Sequence, residues 1–151
     1  MIKTLENIKL HSQKFVGVEL HNFRWVVEEG HVNQFKNSLK VQGVDFISKD
    51  KMPIAYSITS SHWGTPHLEV LQKLGADIER IVHGEHAFKI YKSLEIGHAY
   101  RVSQKLDDLI EKRSKAYGSM LFFIIETSIT DSSNFICLVQ KHTSIQLGNN
   151  E

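Results

Sequence analysis

The second half of the chain carries strand signals almost exclusively, and this feature limits the possible folds more than any other. Four segments beyond Gly75 have the apolar and alternating composition of strands: 80–94, 99–109, 119–130 and 134–147. The last two are joined by Asp131-Ser132-Ser133-Asn134, which favours a tight turn. We therefore predict a long antiparallel meander in this half.

The first half combines one extended segment with helical patterns. Partial alternation over residues 15–27 predicts one or two strands. Over Glu28 to Leu39 the apolar residues are spaced as on one face of a helix, which predicts an amphipathic helix. A second helical region runs from Pro53 to Gly75, and Thr65-Pro66 restarts it, so we expect two pieces hinged near Gly64.

Strands that follow helices indicate the α+β class. A long sheet with one apolar face needs a helix to cover it, and the Pro53 to Gly75 region is the best candidate. The expected architecture is a hot dog, an antiparallel β-sheet wrapped around a central α-helix. The 151 residues are the usual size of a single domain, so we expect one domain over 1–151.

Charge and cysteine content exclude several classes of function. The net charge is +1, which gives no electrostatic footprint for a nucleic acid or an anionic membrane. A single cysteine, Cys137, excludes an internal disulfide and a multi-cysteine zinc site. The sequence shows no apolar segment of signal-peptide or membrane-spanning length, so we expect a cytoplasmic protein that binds no membrane.

The sequence His83-Gly84-Glu85-His86 is the densest group of chemically active residues. On a regular strand His83 and Glu85 share a face with Cα atoms about 7 Å apart, close enough to act as an acid and base pair. Equally, they can bond each other and nearby backbone and only fix the strand. A metal site of His83, Glu85 and His86 is disfavoured because strand neighbours point to opposite faces. We expect no metal site, and we expect His86, His98 and His142 on the surface.

A resemblance to a known family rests on the order and spacing of residues along most of the chain. The residues that carry it are Pro53, Trp63, Leu74 to Asp77, Val82 to Glu85, Phe88, Leu94 to Gly97, Gly118, Met120 to Thr127 and Asp131. Together they resemble the N-terminal dehydratase domain family of the MaoC-like hydratases over about Val16 to Leu147. The chain departs from the family pattern at Ser93, usually proline, and at His98, usually aspartate.

The resemblance implies a hot-dog fold that acts on thioesters of coenzyme A or acyl carrier protein. The implied reaction hydrates a trans-2-enoyl group or dehydrates an (R)-3-hydroxyacyl group, with no metal or redox cofactor. It also implies pairing of two hot-dog units, either as a homodimer or as a heterodimer whose second subunit carries the catalytic residues.

The standard catalytic dyad of MaoC-like proteins, an aspartate and a histidine five positions later, is absent here. The resemblance places them in a loop before the central helix, where this chain has Gly43 to Asp50, without Asn-Pro and with Asp50 in the histidine's place. The first interpretation is therefore a substrate-binding subunit that pairs with a subunit bearing the Asp and His dyad. The second is that His83 and Glu85 form an alternative acid and base pair.

The acyl pocket implied by the resemblance lies between the helix and the sheet. Its candidate substrate-binding residues are Tyr56, Ser57, His62, Trp63, Gly64 and Phe88. Trp63 is favoured as core packing and otherwise forms a wall of the pocket. Backbone N–H groups around Gly64 are a candidate oxyanion hole. Two rival functions remain: a hot-dog thioesterase that hydrolyses the thioester, and a non-catalytic module that binds acyl thioesters.

Overall fold

Four helices and five strands make up the structure, a computed structural model that describes residues 4–39, 52–63 and 67–148, without the side chains of His62 and Trp63. The helices are α1 (Leu5–Ser12), α2 (Glu29–Ser38), α3 (Ser60–Trp63) and α4 (His67–Lys73), with 3-10 turns at Gln13–Phe15, Ile54–Thr59 and Ile78–Arg80. The strands are β1 (Glu19–Val26), β2 (Ile81–Ile90), β3 (Ala99–Ser114), β4 (Gly118–Thr130) and β5 (Ile136–Leu147). No helix in the described ranges is long and apolar enough to cross a membrane.

The strands form one antiparallel sheet in the order β1-β3-β4-β5-β2. Strands β3, β4 and β5 are consecutive neighbours, as a meander requires. Strand β2 departs from that prediction because it pairs with the far side of β5 and becomes an edge strand. The expected α+β class and hot-dog architecture are confirmed.

The central segment, which consists of the 3-10 turn Ile54–Thr59 and helices α3 and α4, covers one face of this sheet. On β4 the residues at odd positions, including Phe123 and Ile125, are buried on that face. Val70, Leu71 and Leu74 pack against them. The helix therefore fulfils the role predicted for the Pro53 to Gly75 region, since it removes the apolar face of a long sheet from water.

Two groups of buried apolar residues make up the core. The aliphatic cluster consists of Ile8, Leu20, Val70, Leu71, Leu74, Ala76, Leu106, Leu121, Phe123 and Ile125. The aromatic cluster consists of Trp25, Val27, Val32, Tyr56, Leu94, Tyr100, Val102, Ile129, Cys137 and Leu138. Both lie along the covered face of the sheet, one towards each end of the central segment.

Two strand boundaries differ from the sequence prediction. Strand β2 ends at Ile90 rather than at Leu94, because the N–H groups of Tyr91 and Lys92 both donate to the carbonyl of Cys137 and bend the chain. Strand β3 continues to Ser114, so the tip of the β3–β4 hairpin is shorter than expected. The loop 43–50 and the hinge at residues 64–66 lie outside the described residues.

Candidate active site

A band of buried polar residues separates the two apolar clusters. Gln104, Thr127 and Gln140 stand opposite one another on β3, β4 and β5, and all three are buried. The Gln104 amide donates to Thr127 Oγ1 at 3.2 Å and to Ser61 Oγ at 3.2 Å. Ser57 Oγ lies 3.3 Å from Gln140 Oε1. We call these five residues the polar band.

All residues of the polar band except Ser57 line a cavity of about 200 Å³ between the central segment and the sheet. The lining residues are Ile58, Ser61, His67, His86, Gln104, Ile125, Thr127, Gln140 and His142. Among the described residues Gln104 Oε1 has no hydrogen-bond partner although it is buried. A buried acceptor without a partner costs about 1–3 kcal/mol, so a ligand that donates a hydrogen bond would recover this free energy on binding.

A β-bulge in β2 determines on which side of the sheet the residues around it lie. His83 pairs with Ser144 and Glu85 with the adjacent Thr143, so Gly84 is the extra residue. His83 therefore lies on the same side of the sheet as Ser144, and Glu85 lies on the opposite side with Thr143. The prediction that His83 and Glu85 share a face is wrong, because the bulge breaks the alternation between them.

Four histidines lie close together on the side of the sheet that carries Ser144. We call His67, His83, His86 and His142 the histidine cluster. The ring of His142 lies 4.2 Å from that of His67 and 4.7 Å from that of His83, measured between centroids. Its Nδ1 is 3.3 Å from Nδ1 of His86. Helix α4 contributes one of these residues, β2 two and β5 one.

Hydrogen bonds connect the histidine cluster to its surroundings. Ser144 Oγ lies 2.9 Å from His67 Nε2 and 2.9 Å from His142 Nε2. His86 Nε2 lies 3.4 Å from Gln140 Oε1 in the polar band. His86 and His142 are half-buried rather than exposed, so the surface placement predicted for them is wrong, while His98 is exposed as predicted.

Burial keeps two of these imidazoles neutral. Burial, together with charge repulsion from the neighbouring His67, His86 and His83, lowers the pKa of His142 to about 3. Burial also lowers the pKa of His86, and the hydrogen bond that His86 Nε2 donates to Gln140 Oε1 partly offsets this effect. A neutral imidazole keeps one nitrogen lone pair, which can accept a proton or bind a metal ion.

The structure places two of the predicted site residues next to residues that line the cavity and a third one away from it. Ser57 belongs to the polar band, and the Phe88 ring stacks on His86 at 4.9 Å. Tyr56 lies in the aromatic cluster, 5.9 Å from the Trp25 ring. The side chains of His62 and Trp63, and residue Gly64, lie outside the described part of the chain. The substrate-binding and catalytic roles of all these residues stay predictions.

Sequence reasoning missed the polar residues of β3, β4 and β5 that line the cavity. A signal for them exists in the alternation of each strand. Position 127 of β4 falls in the buried series of Leu121, Phe123, Ile125 and Ile129, yet holds threonine. Position 140 of β5 likewise follows Leu138 on the buried face and holds glutamine. A polar residue at a position that the period assigns to the core predicts a lined cavity.

Comparisons with known proteins agree with this architecture. Residues 14–137 match the family model described as the FAS1-like, dehydratase domain region. No curated protein sequence matches the chain. The structure is similar to one from the HadBC (3R-hydroxyacyl-ACP dehydratase) complex of Mycobacterium tuberculosis, with a TM-score of 0.62, 12% identity, and coverage of 82% of this chain and 90% of the other.

Two further solved structures are similar. One comes from the ChsH1-ChsH2 complex of Mycobacterium tuberculosis, with a TM-score of 0.65, 12% identity, and coverage of 97% of this chain and 94% of the other. The second is a MaoC-like dehydratase, with a TM-score of 0.67, 10% identity, and coverage of 91% of this chain and 43% of the other. At these identities the likeness establishes a shared fold.

Proposed function

Because the chain belongs to the family of FAS1-like dehydratase domain regions, which are MaoC-like hot-dog dehydratases, we propose that it takes part in hydration and dehydration of acyl thioesters. The substrates in this proposal are trans-2-enoyl and (R)-3-hydroxyacyl thioesters of coenzyme A or acyl carrier protein. Water adds across the double bond in one direction and leaves the 3-hydroxyacyl group in the other. Both directions need an acid, a base and donors for the thioester oxygen.

In this proposal the chain is the substrate-binding subunit of a two-subunit enzyme. Its loop from Gly43 to Asp50 lacks the histidine that the MaoC-like dyad requires. Two of the similar structures come from complexes, HadBC and ChsH1-ChsH2, as their names state. A second hot-dog subunit that carries the dyad would supply the acid and base to a substrate bound here.

The cavity lined by the polar band is the observation that carries this proposal. The amide and hydroxyl groups that line this cavity lie between two apolar clusters. This arrangement suits a ligand with a polar reacting end. Gln104 Oε1 is available to accept a hydrogen bond from the 3-hydroxyl group of the substrate. The hydroxyls of Ser61 and Thr127 and the Gln140 amide offer further hydrogen bonds to the thioester end.

A spectrophotometric assay tests the proposal directly. The chain is incubated with a short trans-2-enoyl-CoA, alone and mixed with a dyad-bearing MaoC-like subunit, and the absorbance of the conjugated thioester is followed. We expect little or no hydration by the lone chain and hydration by the mixture. Gln104→Leu should reduce the activity of the mixture, whereas Gln72→Leu, at an exposed position of α4, should not.

Other outcomes of the same assay would contradict the proposal. Release of free thiol, detected colorimetrically, would indicate a thioesterase, since hydration leaves the thioester intact. Saturable binding of acyl-CoA without turnover in any mixture would indicate a module that only binds acyl thioesters.

A second candidate is that the chain is catalytic alone, with its own histidines as acid and base. The observation that favours it is that His86 and His142 line the cavity and are held neutral by burial. This version predicts hydration by the lone chain and its loss in His86→Ala. Glu85→Ala should then retain activity, because Glu85 lies on the opposite side of the strand.

A further inference from the structure

The bulge at Gly84 gathers three imidazoles on one side of the sheet, and we propose that His83, His86 and His142 bind a divalent transition metal ion such as Zn²⁺. One nitrogen from each of the three side chains lies within 4.8 Å of the other two. Imidazole nitrogen is a preferred ligand of zinc, copper, nickel and iron. The proposal does not depend on the dehydratase function.

The spacing of two of these nitrogens already matches a metal site. With a Zn–N distance of about 2.0–2.1 Å and tetrahedral geometry, ligand nitrogens lie about 3.3–3.4 Å apart. The Nδ1 atoms of His86 and His142 are 3.3 Å apart. His83 is exposed, so its side chain has room to rotate and close the remaining gap.

The partners of the other ring nitrogens suit the tautomers that a metal site requires. His86 Nε2 faces Gln140 Oε1, which only accepts, so the ring hydrogen of His86 belongs on Nε2 and the lone pair on Nδ1. Without a metal, the 3.3 Å contact between the two Nδ1 atoms is a hydrogen bond, so the one ring hydrogen of neutral His142 lies on its Nδ1. On metal binding this hydrogen would move to Nε2, where Ser144 Oγ can accept it. Metal-binding histidines characteristically donate their other ring N–H to such a partner, which fixes the ring orientation.

Three histidines leave one coordination position open. This ligand number is typical of catalytic zinc sites, where water or substrate occupies the fourth position. The open position adjoins the cavity, because His86 and His142 also line it. His67 serves as an outer partner, since it shares Ser144 with His142.

The bulge explains why the sequence analysis predicted no metal site. On a regular strand the candidate set was His83, Glu85 and His86, and two of these point to opposite faces. The extra residue removes Glu85 from the set and brings His83 and His86 together, and the register adds His142 from β5. The ligands therefore come from two strands, and His142 lies more than 50 residues beyond the other two along the chain.

Titration of the untagged chain with Co²⁺, followed by visible absorption, tests the proposal without any substrate. We expect one Co²⁺ per chain, with the strong visible bands of a tetrahedral site, and displacement by one equivalent of Zn²⁺. His83→Ala removes a ligand at an exposed position, so the fold should persist, and the affinity should fall by more than about 100-fold. Ser144→Ala, which removes an outer partner, should lower the affinity by about 10- to 100-fold.

His98→Ala is the matched control, because His98 is an exposed histidine outside the cluster. Its Co²⁺ affinity should equal that of the unmodified chain. The proposal is overturned if no saturable visible absorption develops, or if His83→Ala and His86→Asn bind Co²⁺ as tightly as the unmodified chain. Since the readout is metal absorption, a failure of the dehydratase proposal leaves this result unaffected.

Discussion

The polar band and the two apolar clusters adjoin one another on the covered face of the sheet, where β3 and β4 carry residues of all three, yet they contribute differently to the molecule. On β4, Ile125 belongs to the aliphatic cluster and Ile129 to the aromatic one, with Thr127 between them. On β3, Gln104 lies between Val102 and Leu106 in the same way. The core is thus interrupted at one level across the sheet.

The polar band, which interrupts the apolar core, contributes little to the stability of the fold. A fully buried apolar side chain contributes about 1.5–3 kcal/mol, whereas a net intramolecular hydrogen bond contributes about 0.5–1.5 kcal/mol. The Gln104 amide makes two bonds on its nitrogen and, among the described residues, none on its oxygen. The polar band therefore stabilises the fold less than the apolar clusters on either side of it.

The largest expected effect lies in the aliphatic cluster. Phe123→Ala should lower the free energy of unfolding by about 3–5 kcal/mol, because the ring is fully buried and its removal leaves a cavity. Urea denaturation measures the loss. Phe122→Ala is the matched control, since the neighbouring ring lies half-buried on the uncovered face and should cost less. Equal losses would contradict the assignment of the core to one face.

A buried glutamine outside the polar band should show the next largest effect. Gln146 Oε1 accepts the N–H of Asp77 at 2.7 Å and fixes the segment before β2. Gln146→Leu leaves that donor unpaired, so we expect a loss of about 1–3 kcal/mol in the free energy of unfolding. A loss below this range in urea denaturation would show that solvent replaces the glutamine.

The corresponding change in the polar band should behave differently. Gln104→Leu removes an unpaired buried acceptor together with two hydrogen bonds, and these contributions oppose each other. We expect the free energy of unfolding to stay within about 1 kcal/mol of the unmodified chain. Comparison with Gln146→Leu in the same urea experiment tests the distinction. If Gln104→Leu lowered the free energy of unfolding by more than about 3 kcal/mol, the polar band would be needed for the stability of the fold, which would contradict this prediction.

The smallest effect is expected on the uncovered face of the sheet. Lys141 contacts Asp107 and Glu126 there, in a network of partly exposed charges that also includes Lys105. Lys141→Ala should lower the free energy of unfolding by about 0.2–1 kcal/mol, because water screens exposed ion pairs. The difference should shrink at high salt, and an effect that is independent of salt would contradict this explanation.

The local alternation of apolar residues was sufficient to predict most of the fold. It gave the amphipathic helix that became α2, the covering role of the central segment, and strands β3, β4 and β5. It did not give the pairing of β2 with β5, because strand order depends on contacts between residues distant in the chain.

The candidate site was only partly predictable for the same reason. His83 could be selected from its surroundings in the sequence, and it does lie in the histidine cluster. Its neighbours His67 and His142 come from other elements, and Glu85 was assigned to the wrong face because the bulge appears only when β2 pairs with β5. The alternation of side chains along a strand predicts which face each one occupies only where no bulge interrupts the pairing with the neighbouring strand.

The bulge at Gly84 also has a consequence for the length of the chain in related proteins. His83 and Glu85 already pair with the adjacent residues Ser144 and Thr143, so a relative that lacked residue 84 would keep every β2 side chain opposite the same neighbour. A one-residue deletion elsewhere in β2 would exchange the two faces beyond that point. Position 84 is therefore where an alignment gap in this strand can be placed without changing which residues meet across the sheet.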